Sequence, residues 1–202
     1  MQLRYLKTSP YVRKVMVCAH ELGLADRIET IDTRPQEDEE SLCEHNPLSK
    51  VPALITDDGE VLYDSPVVCE YLDALGGNRL FPPPGPARWT ALRRHALADG
   101  ILDAAVARRY ESQRSEEIQH EPWVARQKRK IERALDYFEG EADALAHGNS
   151  PVTIGEIAVG CALGYLDLRF EADDWRRNRP ALASWYEDFA ERPSMRKTIP
   201  AD

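Results

Sequence analysis

The sequence has no apolar run of the roughly 20 residues that a membrane-spanning helix needs. It also has no N-terminal stretch with the basic, apolar and small-residue regions of a secretory signal. Cysteine is scarce, and the four cysteines are widely spaced and fit no zinc-binding or redox motif. These absences predict a cytoplasmic protein with reduced thiols and no zinc site.

Positive charge is also in deficit. The chain has 26 Lys and Arg against 35 Asp and Glu, a formal net charge of −9 at pH 7. Since nucleic acids and anionic membranes attract basic surfaces, this balance argues against both as partners. It leaves room for a small anionic ligand held by a local site. The five histidines show no metal-ligand spacing, so we expect no metal.

The chain is long enough for one or two globular domains, with 202 residues that are 43% hydrophobic and 30% charged. Residues 82–86 read Pro-Pro-Pro-Gly-Pro and separate two regions of different pattern. Short apolar runs alternate with helical patterns before this break, and every pattern after it is helical. We therefore predict an α/β domain at 1–78, a linker at 79–86 and an all-α domain at 87–202.

Four short strands and two helices are predicted in the first domain, in the order β-α-β-loop-β-β-α. Ser9-Pro10 and Ser65-Pro66 each place a good capping residue before a proline, which is typical of a helix start. The strands are predicted at 2–6, 27–33, 53–56 and 60–63. The first two are expected to be parallel because a helix joins them, and the last two form a hairpin.

Four helices are predicted in the second domain, at 89–113, 122–146, 154–169 and 180–191, the last ending at Pro193. Residues 153–156 read Thr-Ile-Gly-Glu and form a capping box, in which Thr153 caps the helix and Glu156 reaches back. Small and apolar residues occupy all sides of the helix that follows. This pattern predicts the central, buried helix of its domain.

Residues 46–52 read Asn-Pro-Leu-Ser-Lys-Val-Pro and lead directly into the third strand. Proline disfavours the α region for the residue before it, so Val51 is expected to be extended. Its backbone N–H and C=O could then pair with a short extended peptide. The alternative interpretation is an ordinary loop that enters a strand.

Three motifs, in this order and at these separations, resemble the glutathione transferase superfamily, nearest to its bacterial theta-like and omega-like members. They are residues 8–14 (Thr-Ser-Pro-Tyr-Val-Arg-Lys), residues 46–52 and residues 64–66 (Asp-Ser-Pro). The capping box is similar to that family's folding motif. The resemblance implies a thioredoxin-like N-terminal domain, an all-helical C-terminal domain, glutathione as co-substrate, a small hydrophobic electrophile as acceptor, and a homodimer.

The resemblance also implies how glutathione is held. In the family, a cis bond before the proline at Pro52 turns the Val51 backbone toward the cysteinyl part of glutathione. Asp64 and Ser65 match the acidic-serine pair that holds the γ-glutamyl end. Lys50 could hold the glycine carboxylate, or it could be a solvated loop lysine.

Activation of the thiol is assigned to one of two hydroxyls. Ser9 precedes the proline directly, where omega-like members have a cysteine, and Thr8 stands where theta-like members have their serine. We favour Ser9 and keep Thr8 as the rival. A role in helix capping alone is the third interpretation of Ser9. Neither position is cysteine, so disulfide exchange by a protein thiol is not expected there.

The acceptor pocket is predicted less directly. Asp103, Ala107 and Tyr110 recur at helical spacing and could line it. The sequence thus favours an enzyme that transfers glutathione to small electrophiles. A non-catalytic binding or interaction protein on the same fold is the alternative, because fold does not fix function. A glutathione-dependent isomerase or lyase is a further possibility.

Overall fold

The computed structural model describes residues 1–146 and 151–200, and it divides into two compact units. The first unit contains Met1–Arg88 and the chain from Pro193 onward, and the second contains Trp89–Arg192. Residues 147–150, 201 and 202 of the predicted all-α domain lie outside the described part. Within the described part, no helix is long and apolar enough to cross a membrane.

The first unit is built on a four-stranded sheet in the order β2-β1-β3-β4. Its strands are β1 (Gln2–Tyr5), β2 (Glu29–Asp32), β3 (Ala53–Ile55) and β4 (Val61–Leu62). β2 runs parallel to β1, whereas β3 is antiparallel to both β1 and β4. Leu3 stands opposite Thr30 and Leu54, and both leucines are fully buried. The predicted parallel pair and hairpin are confirmed, with each strand shorter than predicted.

Four helices belong to the first unit: α1 (Pro10–Leu22), α2 (Glu39–Cys43), α3 (Ser65–Leu75) and α8 (Pro193–Lys197). α1 begins as predicted, because the Ser9 hydroxyl accepts the Val12 N–H at 3.3 Å and Pro10 takes the first helical position. It ends at Gly23, whose φ of 72° is in the left-handed region that glycine adopts most easily. α1 and α3 pack against each other.

The sequence predicted that Pro193 ends the last helix. Instead, Pro193 begins a further helix, α8. Proline suits a first helical position, where its missing N–H would be unpaired in any case. Two contacts attach α8 to α1: Arg13 donates to the Met195 carbonyl at 3.3 Å, and Ser194 donates to Glu21. At five residues, α8 is too short to produce a readable periodicity.

The second unit contains most of α4 (Pro86–Glu111) and all of α5 (Glu121–Glu141), α6 (Ile154–Arg169) and α7 (Pro180–Ala190). Every residue of α6 from Ile154 to Leu166 is buried, so the predicted central helix is confirmed. Gly155 allows α6 to approach α4 closely. A Cβ there would lie 3.0 Å from the Ala91 carbonyl oxygen.

The predicted capping box is present at the start of α6. The Thr153 hydroxyl accepts the Gly155 N–H at 3.1 Å, and the Glu156 carboxylate accepts the Thr153 N–H at 2.9 Å. Glu156 also accepts a 2.8 Å hydrogen bond from Arg94 of α4, and Arg94 binds Glu141 of α5 at 3.0 Å. This largely buried network joins three helices of the second unit.

Candidate functional site

The sheet topology brings three chain segments to one edge of the first unit. β1 and β4 are both antiparallel to β3, so they run in the same direction. Their carboxyl ends and the amino end of β3 therefore share an edge. Ser9 follows β1, Val51 precedes β3, and Asp64 follows β4. The three motifs of the sequence analysis thus converge, although they lie far apart along the chain.

The loop before β3 is held by Asn46, which is only 1% exposed. Its side-chain amide donates to the Lys50 carbonyl at 2.8 Å and accepts the Leu48 N–H at 3.0 Å. Ser49 adopts a φ of 48° within this loop. Sequence reasoning missed this role of Asn46, although asparagine before proline is a known turn signal.

Val51 lies at the end of that loop, half-buried, and Pro52 after it is buried. The Val51–Pro52 peptide bond is cis. Pairing of β3 with β1 begins at Ala53, opposite Arg4, so Val51 precedes the paired part of the strand. Lys50 is exposed beside it.

The amino end of α3 differs from the prediction by one residue. Ser65 was expected to cap the helix and Pro66 to begin it, but Asp64 is the capping residue and Ser65 begins the helix. The Asp64 side chain makes no capping hydrogen bond and is exposed, whereas Ser65 is 1% exposed. The Asp64 carboxylate thus stands beside the first N–H groups of a helix, where the dipole end is positive.

Ser9 lies at the amino end of α1 and is 8% exposed. Its oxygen accepts the Val12 N–H, but a hydroxyl also has a proton to donate. Capping and donation to a ligand therefore use different parts of the same group. Thr8 is half-buried in the preceding turn, which the Ser9 N–H closes by donating to Leu6 at 2.9 Å.

One tyrosine near this edge has a shifted pKa. Burial, and then the Asp32 carboxylate on the neighbouring strand, raise the pKa of Tyr5. Its phenol therefore stays neutral at neutral pH. Tyr5 was not among the residues chosen from the sequence.

The three predicted acceptor residues lie on α4, in the second unit. Asp103 and Tyr110 are exposed and Ala107 is half-buried. Tyr110 exposes 55% of its surface. All three lie along one stretch of the helix, as their spacing predicts.

Comparison with known proteins gives the family. Residues 8–75 match the model described as glutathione S-transferase, N-terminal domain, and residues 121–188 match glutathione S-transferase, C-terminal domain. The chain is also 36% identical over 194 residues to the uncharacterized GST-like protein YibF of Escherichia coli (strain K12). That match covers 96% of this chain and 95% of the relative.

This chain belongs to the glutathione S-transferase family. The fold agrees with this membership, since a small mixed sheet at the N-terminus precedes a mostly helical region.

Solved structures of similar family members contain glutathione or a derivative of it. A glutathione transferase family member from Pseudomonas fluorescens Pf-5, with bound glutathione, is 46% identical at a TM-score of 0.93, covering 100% of this chain and 99% of that one. A second structure from that organism holds S-(propanoic acid)-glutathione, at 45% identity, a TM-score of 0.90 and full coverage of both chains. A glutathione S-transferase from Methylobacillus flagellatus KT, with glutathione bound, is 39% identical at a TM-score of 0.91, covering 99% of each chain.

Proposed function

We propose that this glutathione S-transferase family member binds glutathione in its first unit and transfers it to small electrophiles. The observation that carries the proposal is the convergence of Ser9, Val51 and Asp64 at one edge of the sheet. The glutathione-bound relatives support the choice of ligand. We assign glutathione binding to the expected domain at 1–78. Contacts with the acceptor are assigned to Asp103, Ala107 and Tyr110 of the expected domain at 87–202.

Each part of glutathione has a proposed partner. The γ-glutamyl carboxylate meets the free N–H groups of α3 and the Ser65 hydroxyl, where the helix dipole favours negative charge. Asp64 binds the γ-glutamyl ammonium. The Val51 backbone pairs with the cysteinyl backbone, and Lys50 binds the glycine carboxylate.

The chemistry requires the thiol to lose its proton, because the thiolate is the nucleophile. A hydroxyl that donates to sulfur favours this ionised form, and we assign that donor to Ser9. The sulfur then forms a bond to an electrophilic carbon, while the thiol proton passes to solvent and a leaving group departs with its electron pair. Where the acceptor is an activated double bond, its own carbon takes the electron pair and then a proton.

Asp64→Ala and Ser65→Ala are each expected to weaken glutathione binding by about 1.5–3 kcal/mol, the range for one hydrogen bond to a charged group. Isothermal calorimetry with glutathione measures this. Asp26→Ala is the matched control, since it removes the same charge from an exposed residue of the first unit. Glutathione affinity equal to that of the parent in both site variants would show that the γ-glutamyl end does not bind at the amino end of α3.

Catalysis is tested separately from binding. A panel of small electrophiles, assayed for loss of free thiol in the presence of the protein, should reveal at least one accelerated conjugation. Binding of glutathione with no accelerated reaction across the panel would favour the non-catalytic binding protein instead. An accelerated rearrangement or elimination without consumption of glutathione would indicate the isomerase or lyase.

We also propose that the protein is a cytoplasmic homodimer. The second unit has an open groove between α4 and α5 with an apolar floor and a basic rim, which a second copy of this acidic chain could cover. Trp89 and Tyr137, on these two helices, expose 68% and 42% of their surfaces. The groove is lined by Arg93, Leu97, Lys130, Arg133, Ala134 and Tyr137.

Light scattering at micromolar concentration should give twice the chain mass of 22.9 kDa. Leu97→Glu places a charge on the apolar floor of the groove and should shift the protein toward monomer. Ile118→Glu places the same charge on an exposed apolar residue that does not line the groove, and it should leave the dimer in place. A parent protein with the mass of one chain would reject the proposed dimer.

A further inference from the structure

Arg4 is a buried arginine in the sheet of the first unit. It is 7% exposed and belongs to β1, where it stands opposite Ile31 of β2 and Ala53 of β3. Its guanidinium donates to the Ser41 hydroxyl at 2.8 Å, so the side chain points toward α2. Its Nε–H is buried and has no hydrogen-bond partner. The guanidinium is thus held by a neutral hydroxyl and not by a carboxylate.

The positive charge of Arg4 has no counter-ion in the part of the chain that the structure describes, because Arg4 forms no ion pair there. β3 contains no charged residue, and the acids of β2 and α2 are all exposed: Glu29, Asp32, Glu39 and Glu40. Solvent and salt screen charges in such positions. Burial of an unpaired charge is costly, and an apolar residue would avoid that cost. The fold by itself therefore does not require a charge at Arg4.

Arg4 lies close to the edge at which we place glutathione. Paired Cα atoms of antiparallel strands are about 4.5–5.5 Å apart, and two further residues of extended chain span at most about 7 Å. Since Arg4 pairs with Ala53, its Cα is within roughly 13 Å of the Val51 Cα. The Val51 backbone is the proposed partner of the cysteinyl part of glutathione, which carries the thiol. Both residues belong to the first unit.

A buried positive charge at this distance favours the thiolate over the thiol. Through an effective dielectric constant of about 20, a unit charge about 11 Å away changes the pKa of a thiol by about one. Salt screens such a buried charge less than it screens an exposed one, such as that of Lys50. Because a charge acts without contact, its effect adds to that of the hydroxyl assigned to Ser9.

We propose that the buried charge of Arg4 stabilises the thiolate of glutathione bound at the edge formed by Ser9, Val51 and Asp64. The charge acts on the sulfur, whereas the hydrogen bond to Ser41 only joins the guanidinium to α2. Arg4 takes up no proton in this role, and the thiol proton passes to solvent. The inference rests on the proposed function, because it requires glutathione at that edge.

The test is the pH dependence of thiolate absorbance in the glutathione complexes of the parent and four variants. Arg4→Met removes the charge but keeps a long apolar side chain, and it should raise the titration midpoint by about one pH unit. Arg4→Lys keeps the charge, and Ser41→Ala removes only the hydrogen bond, so both should titrate near the parent. Arg27→Met is the matched control, since it makes the same change at an exposed arginine that Asp57 already neutralises.

A midpoint that does not move in Arg4→Met would overturn this inference and leave the proposed function standing. The same holds if Arg4→Lys, which retains the charge, shifts as far as Arg4→Met. Equal shifts in Arg4→Met and Ser41→Ala would assign the effect to the placement of α2 and also reject the role of the charge. An Arg4→Met protein that fails to fold would show that Arg4 is needed for structure, and it too would overturn the inference. A parent protein that does not bind glutathione would overturn the proposed function, and this inference with it.

Discussion

Replacing Glu156 with glutamine should lower the free energy of unfolding by about 1.5–3 kcal/mol, the range for one lost hydrogen bond to a charged group, since Arg94 keeps Glu141 as a second partner. Glu156 is 3% exposed and Arg94 is 6% exposed. One carboxylate oxygen accepts from Arg94, and the other accepts the Thr153 N–H. An amide has a single acceptor oxygen, so Glu156→Gln must lose either the Arg94 contact or the cap, and its NH₂ group then faces another donor.

Chemical denaturation followed by circular dichroism measures this loss. Glu117→Gln is the matched control, because it makes the same change at an exposed residue of the second unit. Thr153→Ala removes the capping hydroxyl but keeps the ion pair, so it should cost only about 0.5–2 kcal/mol. A Glu156→Gln protein as stable as the Glu117→Gln control would show that the buried pair contributes nothing to the fold.

The second large effect is expected from Ser9→Ala. If the Ser9 hydroxyl donates to the glutathione sulfur, its loss removes one hydrogen bond to a charged group, about 1.5–3 kcal/mol. This raises the pKa of the bound thiol by roughly 1–2 units. Turnover at neutral pH should fall by about ten- to a hundredfold. Glutathione affinity should change little, because Val51, Asp64 and Ser65 are the residues proposed to hold the peptide.

Two measurements separate catalysis from capping. Loss of the cap alone should cost about 0.5–2 kcal/mol of stability and leave the turnover number of the folded protein unchanged. Thr8→Val keeps the side-chain shape, removes the rival hydroxyl and should leave turnover near the parent value. A fall in turnover only in Thr8→Val would transfer the role to Thr8.

Local signals predicted much of the fold. Ser9-Pro10 and the capping box act within a few residues, so the starts of α1 and α6 were predicted correctly. Arg94 could not be identified in this way, because its partner Glu156 is 62 residues away. α8 is held by contacts with α1 rather than by a pattern of its own.

The same distinction between local signals and long-range contacts applies to the candidate site. Its motifs were readable because each lies on a short segment, but their convergence depends on strand order and direction. Ser65 was predicted to cap α3, but Asp64 is the capping residue, because helix starts are uncertain by a residue or two.

We propose that this protein binds glutathione and ionises its thiol, a claim tested most directly by the pH dependence of thiolate absorbance in the glutathione complex, for the parent and for Ser9→Ala. We expect a midpoint for the parent clearly below about 8.5, the ordinary value for a cysteine thiol, and a higher midpoint for Ser9→Ala. A parent complex whose thiol titrates at the same pH as free glutathione would contradict the claim.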